Sequence, residues 1–139
     1  MTAKEIQGEL RKIRFADKSI DSKLFQLERL RAQAENVQSV DYSKDVVHGG
    51  ACRSSIDIIH NIIELQKEIN ADIDALVDAK RHWRRSLSSL CGLDRAVLEK
   101  YYFEAKTWEQ TAVELGKDYR WILRVHGRAL KRLSEKFSE

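Results

Sequence analysis

The chain has no proline in its 139 residues, and only two cysteines, six glycines and one methionine. Without proline, no position interrupts a helix by removing a backbone donor. Cys52 and Cys91 lie far apart and form no C-x-x-C pair, so two reduced thiols are expected rather than a metal ribbon or a disulfide framework. The pair Gly49-Gly50 lacks the flanking residues of a phosphate loop and reads as a flexible turn. No apolar run approaches the length of a membrane span. Residues 2–14 are charged throughout, so no secretory signal and no membrane partner are expected, and the expected compartment is the cytoplasm.

Apolar residues make up 42% of the chain and charged residues 34%, a mix rich in Leu, Ile, Ala, Glu, Lys and Arg that points to long helices. The net charge is only +3, but it is unevenly spread. From Lys80 onward there are fourteen Lys/Arg against eight Asp/Glu, a balance of +6, which leaves −3 for the residues before it. Any contact with nucleic acid is therefore expected in the C-terminal part.

Two segments carry heptad spacing. The first, about residues 2–37, has the seam Ile6, Leu10, Ile13, Ile20, Leu24, Leu27 and Ala34, interrupted by Asp17 and Arg31. The second, about residues 54–90, has Ile59, Ile62, Ile69, Ile73, Leu76, Trp83, Leu87 and Leu90, with Gln66 and Lys80 among them. Between them, residues 38–53 lose the pattern and read as a loop. Two helices of matched length joined by one loop fold back most simply as an antiparallel, coiled-coil-like hairpin. The second segment is also apolar off its seam, at Ile58, Ile63, Leu65 and Val77, which leads to the expectation of a homodimer through a four-helix arrangement.

The stretch from Thr107 to Leu133 reads as a helix-turn-helix. Thr107 is a good N-cap and Gln110 completes a capping box. Trp108, Ala112 and Leu115 then share one stripe. Gly116 stands where a left-handed terminator is needed. Asp118 is placed to cap the next helix, which buries Ile122, Val125 and Ala129. Tyr119, Arg120, Leu123, Arg124 and Arg128 are then left facing outward. A helix fits the DNA major groove, and arginine forks onto guanine there. Upstream, Asp94 is read as the cap of a helix carrying Val97, Leu98, Tyr101 and Tyr102.

This stretch resembles region four of the sigma-70 family. The likeness is carried by Thr107-Trp108-Glu109-Gln110, by Leu115-Gly116, by Arg128-Ala129-Leu130-Lys131-Arg132-Leu133, and upstream by Val97-Leu98 and Tyr101-Tyr102. Tyr119-Arg120-Trp121 and Leu123 depart from it, because sigma factors usually carry charged or polar residues there; the docking mode carries over and the base preference does not. Over nearly the whole length, the start Thr2-Ala3-Lys4-Glu5, the run Leu27-Glu28-Arg29-Leu30-Arg31-Ala32, the loop Val47-His48-Gly49-Gly50 and the sigma-like tail resemble RinA/ArpU-like phage regulators. That resemblance implies a helical front half and transcription control in a bacterial host, where members of the family activate late phage genes.

Other features have plainer readings. Trp83 falls on the seam and is expected in the core, with the arginines of Lys80–Arg85 as a solvated face. Trp121 is expected to pack, and His126 to lie at the surface. His48, Cys52 and His60 fit no metal-site spacing. The acids are scattered, and no catalytic constellation is found, so neither an enzyme nor a cofactor is expected. The expectation is an all-α protein, with a hairpin over residues 1–91 and a three-helix DNA-binding domain over 92–139. Arg120, Arg124 and Tyr119 would meet base edges beside Leu123. Lys117, Arg128, Lys131 and the Thr107-Trp108 helix start would meet phosphates of double-stranded DNA. The rivals are a module that binds RNA polymerase without specific DNA recognition, and a structural adaptor.

Overall fold

Among the described residues there are five α-helices: α1 (Ala3–Gln38), α2 (Gly49–Leu87), α3 (Gly92–Leu98), α4 (Trp108–Leu115) and α5 (Tyr119–Phe137). The computed structural model describes residues 1–38 and 49–137, and the protein is all-α. Most of the expected loop (39–48) lies outside the described residues. Its last part, 49–53, belongs to α2, so Gly49 and Gly50 open a helix rather than form a turn.

The chain divides into two compact units. One comprises residues 1–18 with 75–139, and the other residues 19–74. This differs from the expected division at 91/92, and the cause lies in α5. The first half of its apolar stripe, Ile122 and Val125, closes a small cluster with Val97 and Ala112. The second half, Ala129, Leu130 and Leu133, runs past the helix-turn-helix into a larger core. That core also takes in Ile6, Leu10 and Ile13 of α1, Trp83 and Leu87 of α2, and Tyr102. The helix-turn-helix is therefore built on the paired ends of α1 and α2. Asp17 and Lys80, the two polar interruptions expected in the seams of this unit, pair with each other at 3.2 Å.

In the unit of residues 19–74, Lys23 Nζ meets Asp72 at 2.5 Å and Glu68 at 3.9 Å. Leu30 lies beside Leu65. Matched positions thus run in opposite directions, which is the expected antiparallel pairing. The buried seam of α2 differs from the one expected: Ile69 is buried and Ile58, Ile62 and Leu65 are half-buried, while Ile59 and Ile73 face outward. Leu24 of α1, also placed in the seam, is 40% exposed. Spacings of three and four run along two adjacent faces of α2, and periodicity alone does not choose between them.

Between α3 and α4 the backbone widens into a π-helical turn, Glu99–Phe103, closed by the Glu104 N–H donating to the Glu99 carbonyl at 3.0 Å. It turns three consecutive aromatic residues toward protein, with Tyr102 and Phe103 buried and Tyr101 half-buried. Ala105 follows in the left-handed region at φ 56°. Arg14 brackets this strained reversal: one guanidinium nitrogen donates to the Tyr101 carbonyl at 2.6 Å and to the Lys106 carbonyl at 2.8 Å.

Candidate nucleic-acid interface

The local chemistry of the helix-turn-helix follows from its caps. Thr107 Oγ1 accepts the Gln110 N–H at 3.1 Å, and Gln110 Oε1 accepts the Thr107 N–H at 3.0 Å, a complete capping box. At the other end of α4, Gly116 adopts φ 65° and ψ 34°. The Gly116 N–H donates to Val113 and the Lys117 N–H to Ala112, which is a Schellman closure. A Cβ at Gly116 would meet no neighbour, so only the backbone conformation demands glycine. Gly116→Ala is expected to cost about 1–2 kcal/mol of folding stability, read as a lowered urea midpoint with an unchanged slope.

Asp118 contributes to the start of α5 by its carbonyl, which accepts the Ile122 N–H at 3.0 Å. Among the described residues its carboxylate takes no hydrogen bond, so the expected side-chain cap is not formed. The charge still sits at the positive end of the α5 dipole.

Trp108 turns inward. Its indole stacks on Tyr101 at 3.7 Å and meets the edge of His126 at 4.7 Å. The Arg14 guanidinium lies 4.0 Å from the Tyr101 ring, necessarily on the face that Trp108 leaves open. Any anion contact at this helix start falls to the Trp108 and Glu109 N–H groups, because the capping box occupies those of Thr107 and Gln110.

His126 is buried, not at the surface as expected. Its Nε2 lies 2.7 Å from the Tyr102 hydroxyl. Burial, reinforced by the charge of Arg11, lowers its pKa to about 4, and burial raises that of Tyr102 to about 12. The phenol therefore donates to a neutral imidazole. The reason is geometric: His126 follows Val125 by one helical step of about 100°, which turns it toward the π-helical turn.

The cations of α5 separate into two sets. Asp94 does not cap α3, whose N-cap position is Cys91; it is fully buried inside the helix. Arg128 reaches its Oδ1 at 2.8 Å and Arg132 its Oδ2 at 2.7 Å. Burial alone would raise the Asp94 pKa, but the two guanidiniums outweigh it and hold the carboxyl below its ordinary value. Lys136 donates to the Ser89 carbonyl. These three hold the fold, and Arg128, expected on a phosphate, belongs with them.

The side chains of Arg120, Arg124 and Lys131 have no ion-pair or hydrogen-bond partner among the described residues, and all three residues are exposed. Tyr119 and Leu123, each one residue ahead of Arg120 and Arg124, are 40% and 36% exposed. Lys117 sits 5.3 Å over the ring of Trp121, which packs against the small cluster as expected. The outer side of α4 is different in kind: Glu114 is tied to Lys100 and Lys106, and Val113 stands 81% exposed.

The basic run on α2 is partly spent. Lys80 pairs with Asp17, Trp83 is core, and Arg84 lies over the Phe103 ring. Of the residues considered as metal ligands, the side chains of His48 and Cys52 lie outside the described residues and His60 is exposed. Among the described residues no helix is long and apolar enough to cross a membrane. No protein-family model, curated protein or solved structure matches the chain.

Proposed function

We propose that this chain is a sequence-specific double-stranded-DNA-binding transcription regulator of the phage late-gene type, acting with host RNA polymerase as a homodimer in the bacterial cytoplasm. One observation carries the reading: on the second helix of a well-capped helix-turn-helix, Arg120, Arg124 and Lys131 share an outward face with no use inside the protein. Three unpaired cations on one face of this helix are what a phosphate backbone and guanine edges require. Arg120 and Arg124, near the helix start, take base edges, with Tyr119 and Leu123 against bases or sugar. Lys117 and Lys131 take phosphates, and the role of Arg128 is to position the helix through Asp94. No catalytic step is assigned.

The test is selection of bound sequences from random duplex, followed by titration of the selected site. Arg124→Ala is expected to weaken that site by about 1–3 kcal/mol if its guanidinium forks onto a base. Lys131→Ala should weaken all duplexes alike and flatten the salt dependence. An unchanged dissociation constant for Arg124→Ala would remove its base-reading role.

A second reading, a polymerase-binding module without specific DNA contact, is favoured by the exposed Val113 on the outward side of α4. Salt separates the two readings. A DNA binder loses affinity steeply between low and moderate salt, and a module of the second kind has no duplex affinity to lose.

A further inference from the structure

Within the unit of residues 19–74, α2 carries two rows at heptad spacing. One row, through Ile62 and Ile69, faces α1. The other, one residue along, is Ile56, Ile59, Ile63, Gln66, Asn70 and Ile73, with steps of 3, 4, 3, 4 and 3. Its isoleucines are 65%, 43%, 45% and 39% exposed. Gln66 and Asn70 carry no side-chain hydrogen bond among the described residues. Isolated exposed isoleucines would need no explanation, but four at strict heptad positions form the seam that one helix offers another.

The two amides identify the partner. A wholly apolar helix laid on this row would bury both amides without partners, which is costly. A second copy of the same row brings amides to the same place whichever way it runs. Aligned in parallel, Gln66 meets Gln66 and Asn70 meets Asn70. Aligned antiparallel about residue 68, Gln66 meets Asn70 while Ile63 meets Ile73. A polar pair in the middle of an apolar seam is also the usual device for setting register at some expense in stability. We propose that this row is where a second copy of the chain docks, with Gln66 and Asn70 bonding their counterparts between flanking isoleucines. The proposal deepens the self-association part of the reading above and does not depend on what α5 binds.

Sedimentation equilibrium of the full chain at tens of micromolar tests it. The wild-type protein is expected at twice the 16.2 kDa chain mass. Ile59→Lys with Ile63→Lys is expected to give a monomer with unchanged helical circular dichroism, since both side chains already face solvent. Should the lysines lower helicity, Ile63→Asn provides the same readout. Asn61→Lys, on the far side of α2, is expected to remain dimeric. A monomeric wild type overturns the proposal together with the self-association reading. A dimeric wild type whose lysine variant is also dimeric, or whose Asn61→Lys variant is monomeric, overturns the proposal and leaves self-association standing elsewhere on the chain.

Discussion

Replacing Arg128 and Arg132 together by alanine is expected to cost about 3–5 kcal/mol of folding stability, the range for stripping the partners from a buried charge. Asp94 is 0% exposed, whereas the arginine side chains are 45% and 47% exposed. The asymmetry sets the order of effects. Asp94→Ala loses the same two charge-assisted hydrogen bonds but leaves only half-exposed guanidiniums, which hydrate. It is therefore expected to be milder than the double arginine variant, although it removes the same contacts. Urea denaturation at neutral pH checks both. A double variant that loses less than Asp94→Ala would show that the carboxylate is not the group in need of rescue. A loss of the larger size is a substantial part of the roughly 5–15 kcal/mol that holds a domain folded. On the proposed DNA-binding reading, any weakened duplex affinity of an Arg128 variant therefore has to be separated from unfolding before it is read as a lost phosphate contact.

The same ion pair shows where sequence reading succeeds and where it stops. Thr107, Gln110 and Gly116 were legible because a cap and a left-handed terminator are decided within a few residues, and the structure has both. Asp94 looked like a cap for the same local reason, an aspartate just ahead of an apolar run. Its partners stand 34 and 38 residues away on α5, and nothing local to Asp94 announces them. The stripe of α5 was legible as a stripe. What covers its second half was not, since Leu130 and Leu133 look the same whether they face a neighbour in a small domain or the ends of α1 and α2. The π-helical turn left no signal beyond three adjacent aromatics. The outward position of Arg120 and Arg124 followed from the inward position of Ile122 and Val125. That Arg128 is spoken for depends on Asp94, 34 residues away, and has no local mark.

Acidification from neutral pH to about pH 4 is expected to destabilise the fold through His126. In the folded chain the imidazole titrates near 4, because burial and the neighbouring charge of Arg11 disfavour its cation; in the unfolded chain it returns to about 6.5. Between those values the unfolded state binds a proton that the folded state refuses, so stability falls as the pH drops through the window. The shift corresponds to a loss on the order of 3 kcal/mol. Asp94 acts in a separate, lower window. Its folded pKa is depressed, so its contribution is intact above about 3.8 and is lost only as the pH falls through the folded value. His126→Gln should flatten the upper window while leaving the lower one, because an amide oxygen can still accept from the Tyr102 hydroxyl and does not titrate. Denaturation midpoints at pH 7 and pH 4.5 decide the matter: equal pH dependence in the wild type and His126→Gln would place the acid sensitivity elsewhere. The imidazole also touches Trp108 and Tyr101, which seat α4. Because the folded chain keeps this imidazole neutral down to about pH 4, the packing around it persists through the window, and on the proposed reading the duplex affinity of the folded protein should hold while stability falls.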